Sequence, residues 1–483
     1  MSATTAFPTL SSRDGARSVP RLHHLMRAGS TGPLILLFAH VPLALLMARF
    51  GLVAKAHALG TIAIGFLWVL SGKSLRRAAY LGAYITGAEV LWRMTGAVFF
   101  WEFGKYATVL IFVAAIVTRG RVKAHLPATA YFVLLLPSVF LTVSENTWEA
   151  ARRAISFNLS GPLALMICVW LFSNVELSQE QLHRLFLILA GPILGVASLG
   201  LFSTLAASSI RFGKQAIKVT SGGFGPNQVS AALGFGVLVM LLFLLGSRAG
   251  LKAKLPAFGV MLLLAAQAAL TFSRGGLILA AVSGFIASLY LLKDSRTRAR
   301  VIILGVCLFV ALNFILLPRL DQFTGGALTA RFESADATGR DNIVKADLKI
   351  WMENPVLGAG PGQALTLREK YYRYIASHTE FTRLLAEHGI LGLGAILLLL
   401  VMAVQALIRA HPGMGKAVAV SMLSWSFFFM TIDGMRLVAP AFAFGLCFAS
   451  IISETRRASR RVGREQKRED VPRAYRPAFE GRP

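Results

Sequence analysis

Long apolar runs separated by short polar intervals dominate the chain. Read as helices, they predict about fourteen spans, near residues 33–48, 57–72, 78–100, 103–118, 127–143, 154–173, 184–206, 226–246, 255–272, 275–292, 301–317, 388–408, 417–431 and 437–453. Several fall short of the ~18–20 residues that cross a bilayer, which makes roughly twelve the lower count. The runs are continuous and rich in Leu, Ala, Gly and Phe, not alternating with period two, so a transmembrane β-barrel is excluded. The expected fold class is all-α, a polytopic transmembrane helical bundle of roughly 12–14 spans.

One polar interval is much longer than the others. After Leu317 about seventy residues stay largely polar before the apolar run that begins at His388-Gly389. The chain therefore divides into an N-terminal segment (1–32), a bundle (33–317), a large loop with amphipathic helices (318–387), C-terminal spans (388–453) and a basic tail (454–483) expected to be disordered.

Composition changes the picture mainly through charge. The chain carries 50 Lys and Arg against 23 Asp and Glu, a net +27 that in a soluble protein would suggest nucleic acid. Here the cations gather in alternate intervals: Lys73, Arg76 and Arg77; Arg119, Arg121 and Lys123; Arg248, Lys252 and Lys254; Lys293, Arg296, Arg298 and Arg300; Arg409 and Lys416. That alternation is the positive-inside pattern, so no nucleic-acid partner is expected and both termini are assigned to the cytoplasm, the tail resting on anionic lipid. The interval from Ser173 to His183 is weakly acidic and breaks the pattern. The first apolar run lacks a small-residue cleavage site and reads as an uncleaved span. Cys168, Cys307 and Cys447 lie inside apolar runs without metal-ligand spacing, so no metal is expected.

With this orientation the outer intervals are Ala207 to Gly225, Phe272 to Gly276 and the long loop. In the loop, Thr338-Gly339-Arg340-Asp341 has capping-box spacing and Val344, Leu348, Trp351 and Met352 recur on one helical face until Asn354-Pro355. Gly358-Ala359-Gly360-Pro361-Gly362 reads as a tight turn. It has no Lys-Ser/Thr after it and no strand before it, which argues against a phosphate-binding P-loop. Ser377-His378-Thr379-Glu380 again has capping-box spacing, predicting Ser377 as N-cap and His378 as the first helical residue. A histidine at that positive helix end is disfavoured as imidazolium and left able to accept a proton; a surface histidine at a helix start is the plainer alternative. Glu89 and Arg93 stand at i,i+4 within an apolar run, which reads first as a self-neutralising structural pair. His388, Asp433 and Arg436 fall near outer span ends and are candidates to line one cavity.

Three blocks together resemble the O-antigen ligase and Wzy-type polymerase family. The first is Thr338-Gly339-Arg340 with Trp351, Asn354-Pro355, Leu357-Gly358 and Gly360-Pro361-Gly362. The second is His378 with Phe381, Leu385, Glu387, Gly389 and Gly392-Leu393. The third is Thr271-Phe272-Ser273-Arg274-Gly275-Gly276, with Pro226-Asn227 opening the preceding span. Thr379 departs from the Asn that often follows the histidine in the family. The resemblance implies transfer of a glycan from an undecaprenyl diphosphate carrier to an acceptor hydroxyl, with inversion and without metal or cofactor. It places the reaction on the periplasmic side of the bacterial inner membrane. The acceptor it implies is lipid A core for a ligase or a second lipid-linked glycan for a polymerase of O-antigen or exopolysaccharide, with ligation preferred. A leaving diphosphate needs fixed cations, and arginine grips phosphate oxygens bidentately. Arg211 and Arg274 are the first candidates, Arg340 the next, with Lys214 and Lys218 as weaker contributors. His378 would be the general base. A lipid-linked sugar transporter is the more distant alternative, but no internal repeat is visible and the polar chemistry gathers at one face.

Overall fold

The computed structural model describes residues 32–452 apart from 73, 121, 214, 248 and 334–338. The N-terminal segment, the basic tail, Lys214 and Thr338 therefore lie outside the described residues.

The first half comprises α1 (Gly32–Arg49), α2 (Gly51–Gly72), α3 (Leu75–Met94), α4 (Phe103–Arg119), α5 (Leu126–Val133), α6 (Val139–Glu145), α7 (Trp148–Phe172), the strand β1 (Glu176–Ser178), and α8 (Gln179–Ala206). The second half comprises α9 (Pro226–Gly246), α10 (Leu251–Leu270), α11 (Gly275–Leu292), α12 (Ser295–Val310), α13 (Leu317–Thr324), α14 (Ala327–Glu333), α15 (Arg340–Glu353), α16 (Gln363–Leu367), α17 (Glu380–Arg409), α18 (Met414–Ile432), α19 (Ala439–Leu446) and the strand β2 (Ser450–Ile452). A π-helical turn, Ala311–Leu316, joins α12 to α13. The fold is an all-α polytopic bundle, and nine of the described helices are long and apolar enough to cross a membrane.

Burial orders these helices from the centre outwards. The apolar window of α9 is 89% buried, whereas that of Thr297–Thr324 is 11% buried and presents Phe309, Phe314 and Ile315 outward. A helix apolar all round must meet either protein or lipid, so α9 is the core and α12–α13 a lipid-facing edge.

Two of the predicted spans are not continuous helices. The 127–143 run divides into α5 and α6 around Pro137, and the 437–453 run is the eight-residue α19 followed by β2. Neither segment alone has the length to span. β2 pairs in parallel with β1, Leu177 opposite Ile451, so the weakly acidic 173–183 interval is tied to the end of the last apolar run. Its Ser178 makes a true capping box with Gln181 at the start of α8.

Candidate active site

The outer intervals meet at one end of the bundle, and the motifs singled out in the sequence account for much of how they are held. Ser230 Oγ on α9 donates to the Ser273 carbonyl (2.6 Å), and Ser273 Oγ donates to Asn227 Oδ1 (2.8 Å). A Cβ at Gly276 would lie 1.8 Å from the Ser230 carbonyl oxygen, so only glycine lets α11 start against α9. Phe272 is the one non-glycine residue with positive φ (57°) among the described residues. This strained, clasped turn presents Arg274, whose Nη1 lies 3.5 Å from the Arg331 carbonyl, while Arg331 Nε donates to the Phe272 carbonyl (3.2 Å).

The glycine-rich turn serves a second purpose. α17 is broken at Gly389 (φ 60°, ψ −135°). The N–H groups of Ala359 and Gly360 bond the carbonyls of Ala386 (2.9 Å) and Glu387 (3.0 Å), and Ile390 N–H bonds the Pro355 carbonyl (2.8 Å). The Gly358–Gly362 turn thus satisfies backbone groups that the break would orphan. A Cβ on Gly358 would lie 2.3 Å from the Glu387 backbone.

The capping box predicted at Ser377 does not form, and Thr338, which would open the other, lies outside the described residues. α17 begins at Glu380 with Thr379 as N-cap, and His378 stands before the helix. Ser377 Oγ donates instead to Asp347 Oδ2 (2.7 Å) on α15. The same carboxylate, fully buried, receives Thr382 Oγ1 (2.7 Å) and Arg368 Nε (2.8 Å) and Nη2 (2.5 Å). α15 has Gly339 as N-cap without a side-chain cap. Its buried stripe is Ile343, Ala346, Asp347 and Ile350; the predicted stripe of Val344, Leu348 and Trp351 is half-buried and Met352 is exposed. The helix turns so that a carboxylate faces inward, because that carboxylate organises the 368–382 segment.

His378 is half-buried among cations. Its ring lies near the Ile432 backbone, and Nδ1 is buried without a hydrogen-bond partner. Burial, reinforced by the guanidiniums of Arg436 and Arg340, pushes the imidazole down to about 4. Arg436 Nη2 donates to the Ser377 carbonyl (3.0 Å) and Nη1 to Asp433 Oδ1 (3.3 Å). The charges of Asp433, Arg274, Arg436 and Arg331 all act on Arg340. Burial raises Asp433, and its Oδ2 has no partner among the described residues. Among the candidate residues, His378, Arg274 and Arg340 therefore share one electropositive site, to which Arg331 and Arg436 belong as well. Arg211 is exposed; it adjoins Phe212, whose ring stacks on Phe272 at 5.5 Å, which holds that stretch of chain beside the Arg274 turn. Lys218 is exposed at the start of a 3-10 turn and is not drawn into this cluster.

On the other side of the 377–379 and 433–436 segments lies a cavity of about 620 Å³. Its lining includes Trp101, Asn158, Glu380, Arg383, Glu387 and Arg436. Arg383 is clamped by Glu380 (2.5 Å) and Glu387 (2.6 Å). The cavity wall also includes Ser377 and Thr379 but not His378. Asp433 and Arg436 do line it, whereas His388 is fully buried elsewhere, its Nδ1 2.5 Å from Ser138 Oγ. The Glu89–Arg93 pair (2.8 Å) is structural and more: Arg93 also donates to Gln228 Oε1 (2.7 Å) and the Trp101 carbonyl (3.0 Å).

Residues 259–397 match the model of the O-antigen ligase family. The chain carries an O-antigen ligase segment. That segment holds Arg274, Arg331, Arg340 and His378, together with the glycine-rich turn and the broken helix that position them. No curated protein matches the chain. A multi-pass membrane protein with an O-antigen ligase segment has a function of the ligase or polymerase type, which acts on lipid-linked glycans.

Sequence reasoning missed Arg331 and Arg368, which no motif flags, and the cavity itself. The spacing of Glu380, Arg383 and Glu387, opposite charges at i,i+3 and i,i+4, did carry a signal of a buried triad at the head of an apolar run.

Proposed function

We propose that the protein is an inverting, metal-independent glycosyltransferase of the periplasmic face of the bacterial inner membrane, moving a glycan from undecaprenyl diphosphate to a hydroxyl of lipid A core. The observation that carries this reading is the unpartnered, buried Nδ1 of His378 beside Arg340 and Arg436. In the neutral tautomer that carries its proton on the other ring nitrogen, the unpartnered Nδ1 holds the lone pair. The acceptor hydroxyl gives its proton to that nitrogen as its oxygen forms a bond to the anomeric carbon. The bond from that carbon to the diphosphate oxygen breaks on the opposite face, and the electron pair leaves with the diphosphate. Arg274 and Arg340, with Arg331 and Arg436, balance the developing charge, and Arg211 meets the carrier at the rim.

A base pushed down to about 4 is weak in the free protein. Burial, the larger cause, remains, but binding of the diphosphate neutralises the arginines that add to it, so the imidazole regains part of its basicity when the donor is in place. The test is transfer by purified protein from an undecaprenyl diphosphate-linked glycan to lipid A core. His378→Ala and His378→Gln should each lose roughly 10²–10⁴-fold in rate with normal donor binding. Retention of rate would end the assignment. Transfer to a second lipid-linked glycan in place of lipid A core would make the protein a polymerase using the same residues.

A further inference from the structure

We propose that the 620 Å³ cavity holds the acceptor saccharide and that its selecting wall comes from the N-terminal half, with the indole of Trp101 as stacking platform. The inference rests on the reaction above and names where the body of its second substrate sits; because His378 does not line the cavity, the reacting sugar would extend from it past the shared Ser377, Thr379 and Arg436 to reach the imidazole.

The two compartments at this end of the bundle differ in charge. The His378 side gathers Arg274, Arg331, Arg340 and Arg436 around one buried carboxylate, which suits an anion. The cavity sets Glu102, Glu380, Glu387 and Asp433 against Arg152, Arg153, Arg368, Arg383 and Arg436, a near-balance of charge, with Asn158 and Ser156 beside them. A diphosphate would meet carboxylates as well as guanidiniums there, whereas sugar hydroxyls would find donors, acceptors and an amide. Its volume falls within the ~300–1,000 Å³ of pockets that enclose small ligands.

Trp101 is prepared for a ring ligand. Its carbonyl accepts from Arg93 Nη2 (3.0 Å), and the Arg93 guanidinium lies 4.4 Å from the indole centroid, fixing both backbone and ring. Arg93 is itself held by Glu89 (2.8 Å) and Gln228 (2.7 Å), while Trp101 lines the cavity and remains 38% exposed. A large aromatic surface held in place before binding costs little entropy on contact. Phe100 continues the same wall, and Phe103 supports it edge-on at 5.7 Å.

Phe100 to Glu102 and Ala150 to Asn158 lie outside the family-matched segment, whereas Gly362 to Glu387 lie inside it. Chemistry and acceptor choice are thereby assigned to different stretches of the chain.

The test uses the full chain in proteoliposomes, with undecaprenyl diphosphate-linked glycan and lipid A core varied independently. Trp101→Ala should raise the acceptor KM about ten-fold, with the rate largely recovered at saturating acceptor and the donor KM little changed. Trp101→Phe, which keeps an aromatic face and guards against misfolding of the alanine variant, should lie within about three-fold of wild type in acceptor KM. A rise in donor KM instead would put the donor glycan in the cavity, and unchanged KM values would empty it of either substrate; both overturn the proposal. His378→Ala read in the same assay tests the reaction separately, since its loss is in kcat and does not depend on Trp101.

Discussion

Replacing Asp347 with alanine leaves the Arg368 guanidinium, 1% exposed, without its counter-ion, and deprives Ser377 and Thr382 of their shared acceptor. Breaking a buried pair from one side costs about 3–5 kcal/mol. The two hydroxyl bonds, roughly 1.5–3 kcal/mol each to a charged group, do not add in full because all converge on one carboxylate. The loss is local: the carboxylate ties α15 to the 368–382 segment, so the loop should open while the spans stay packed. At about 1.4 kcal/mol per decade, the open population rises roughly 10²–10³-fold. Trypsin reads this in detergent-solubilised protein, because Lys370 and Arg373 lie within the segment and slow cleavage tracks the open fraction. Cleavage between residues 340 and 379 should accelerate at least ~10-fold, and the double variant Asp347→Leu with Arg368→Met should regain most of the resistance. Transfer activity should not return with it, since Ser377 loses its tether to α15 beside His378. Cleavage of Asp347→Ala at the wild-type rate would refute the view that this pair holds the loop.

Three further outcomes are expected. Gly389→Ala places a Cβ 2.5 Å from the Val356 carbonyl oxygen at φ 60°, and should destabilise by about 1–3 kcal/mol in thermal unfolding, whereas Gly259→Ala, with open space and helical backbone, should be neutral or slightly stabilising. Because His378 is held down to about 4, the base stays available above that pH; kcat/KM should fall only as pH drops through about 4, and the acid limb of kcat should lie higher once bound diphosphate offsets Arg340 and Arg436. Arg340→Gln should lower kcat/KM for the lipid-linked donor by roughly 10–100-fold without weakening binding of lipid A core, measured by varying each substrate in turn.

Hydropathy revealed the bundle because a helix in lipid must satisfy its backbone internally and keep its side chains apolar. The same signal failed at 127–143, where Pro137 breaks the helix and the interruption is held by the Ser138–His388 contact, 250 residues apart in sequence. A helix start near His378 was legible, but its place before the helix and its setting were not. Ser377 has capping-box spacing, yet its hydroxyl is taken by Asp347, and local spacing cannot register a partner thirty residues upstream. Asp347 also explains the displaced stripe of α15, since apolar periodicity cannot find a buried face built around a carboxylate. Arg331 is a single cation at an interval end, indistinguishable in sequence from a solvated one, whereas Arg436 was legible only by its place near a span end. The cavity takes ten of its 24 lining residues from the N-terminal half, where only hydropathy could be read.

The central claim is that His378 is the base for glycan transfer, and the most direct measurement is the size distribution of carrier-linked and surface glycan in cells carrying His378→Ala, with the variant shown to be present in the membrane. Full-length glycan stranded on undecaprenyl diphosphate, with none on lipid A core, is the predicted result. An unchanged glycan pattern would contradict the account.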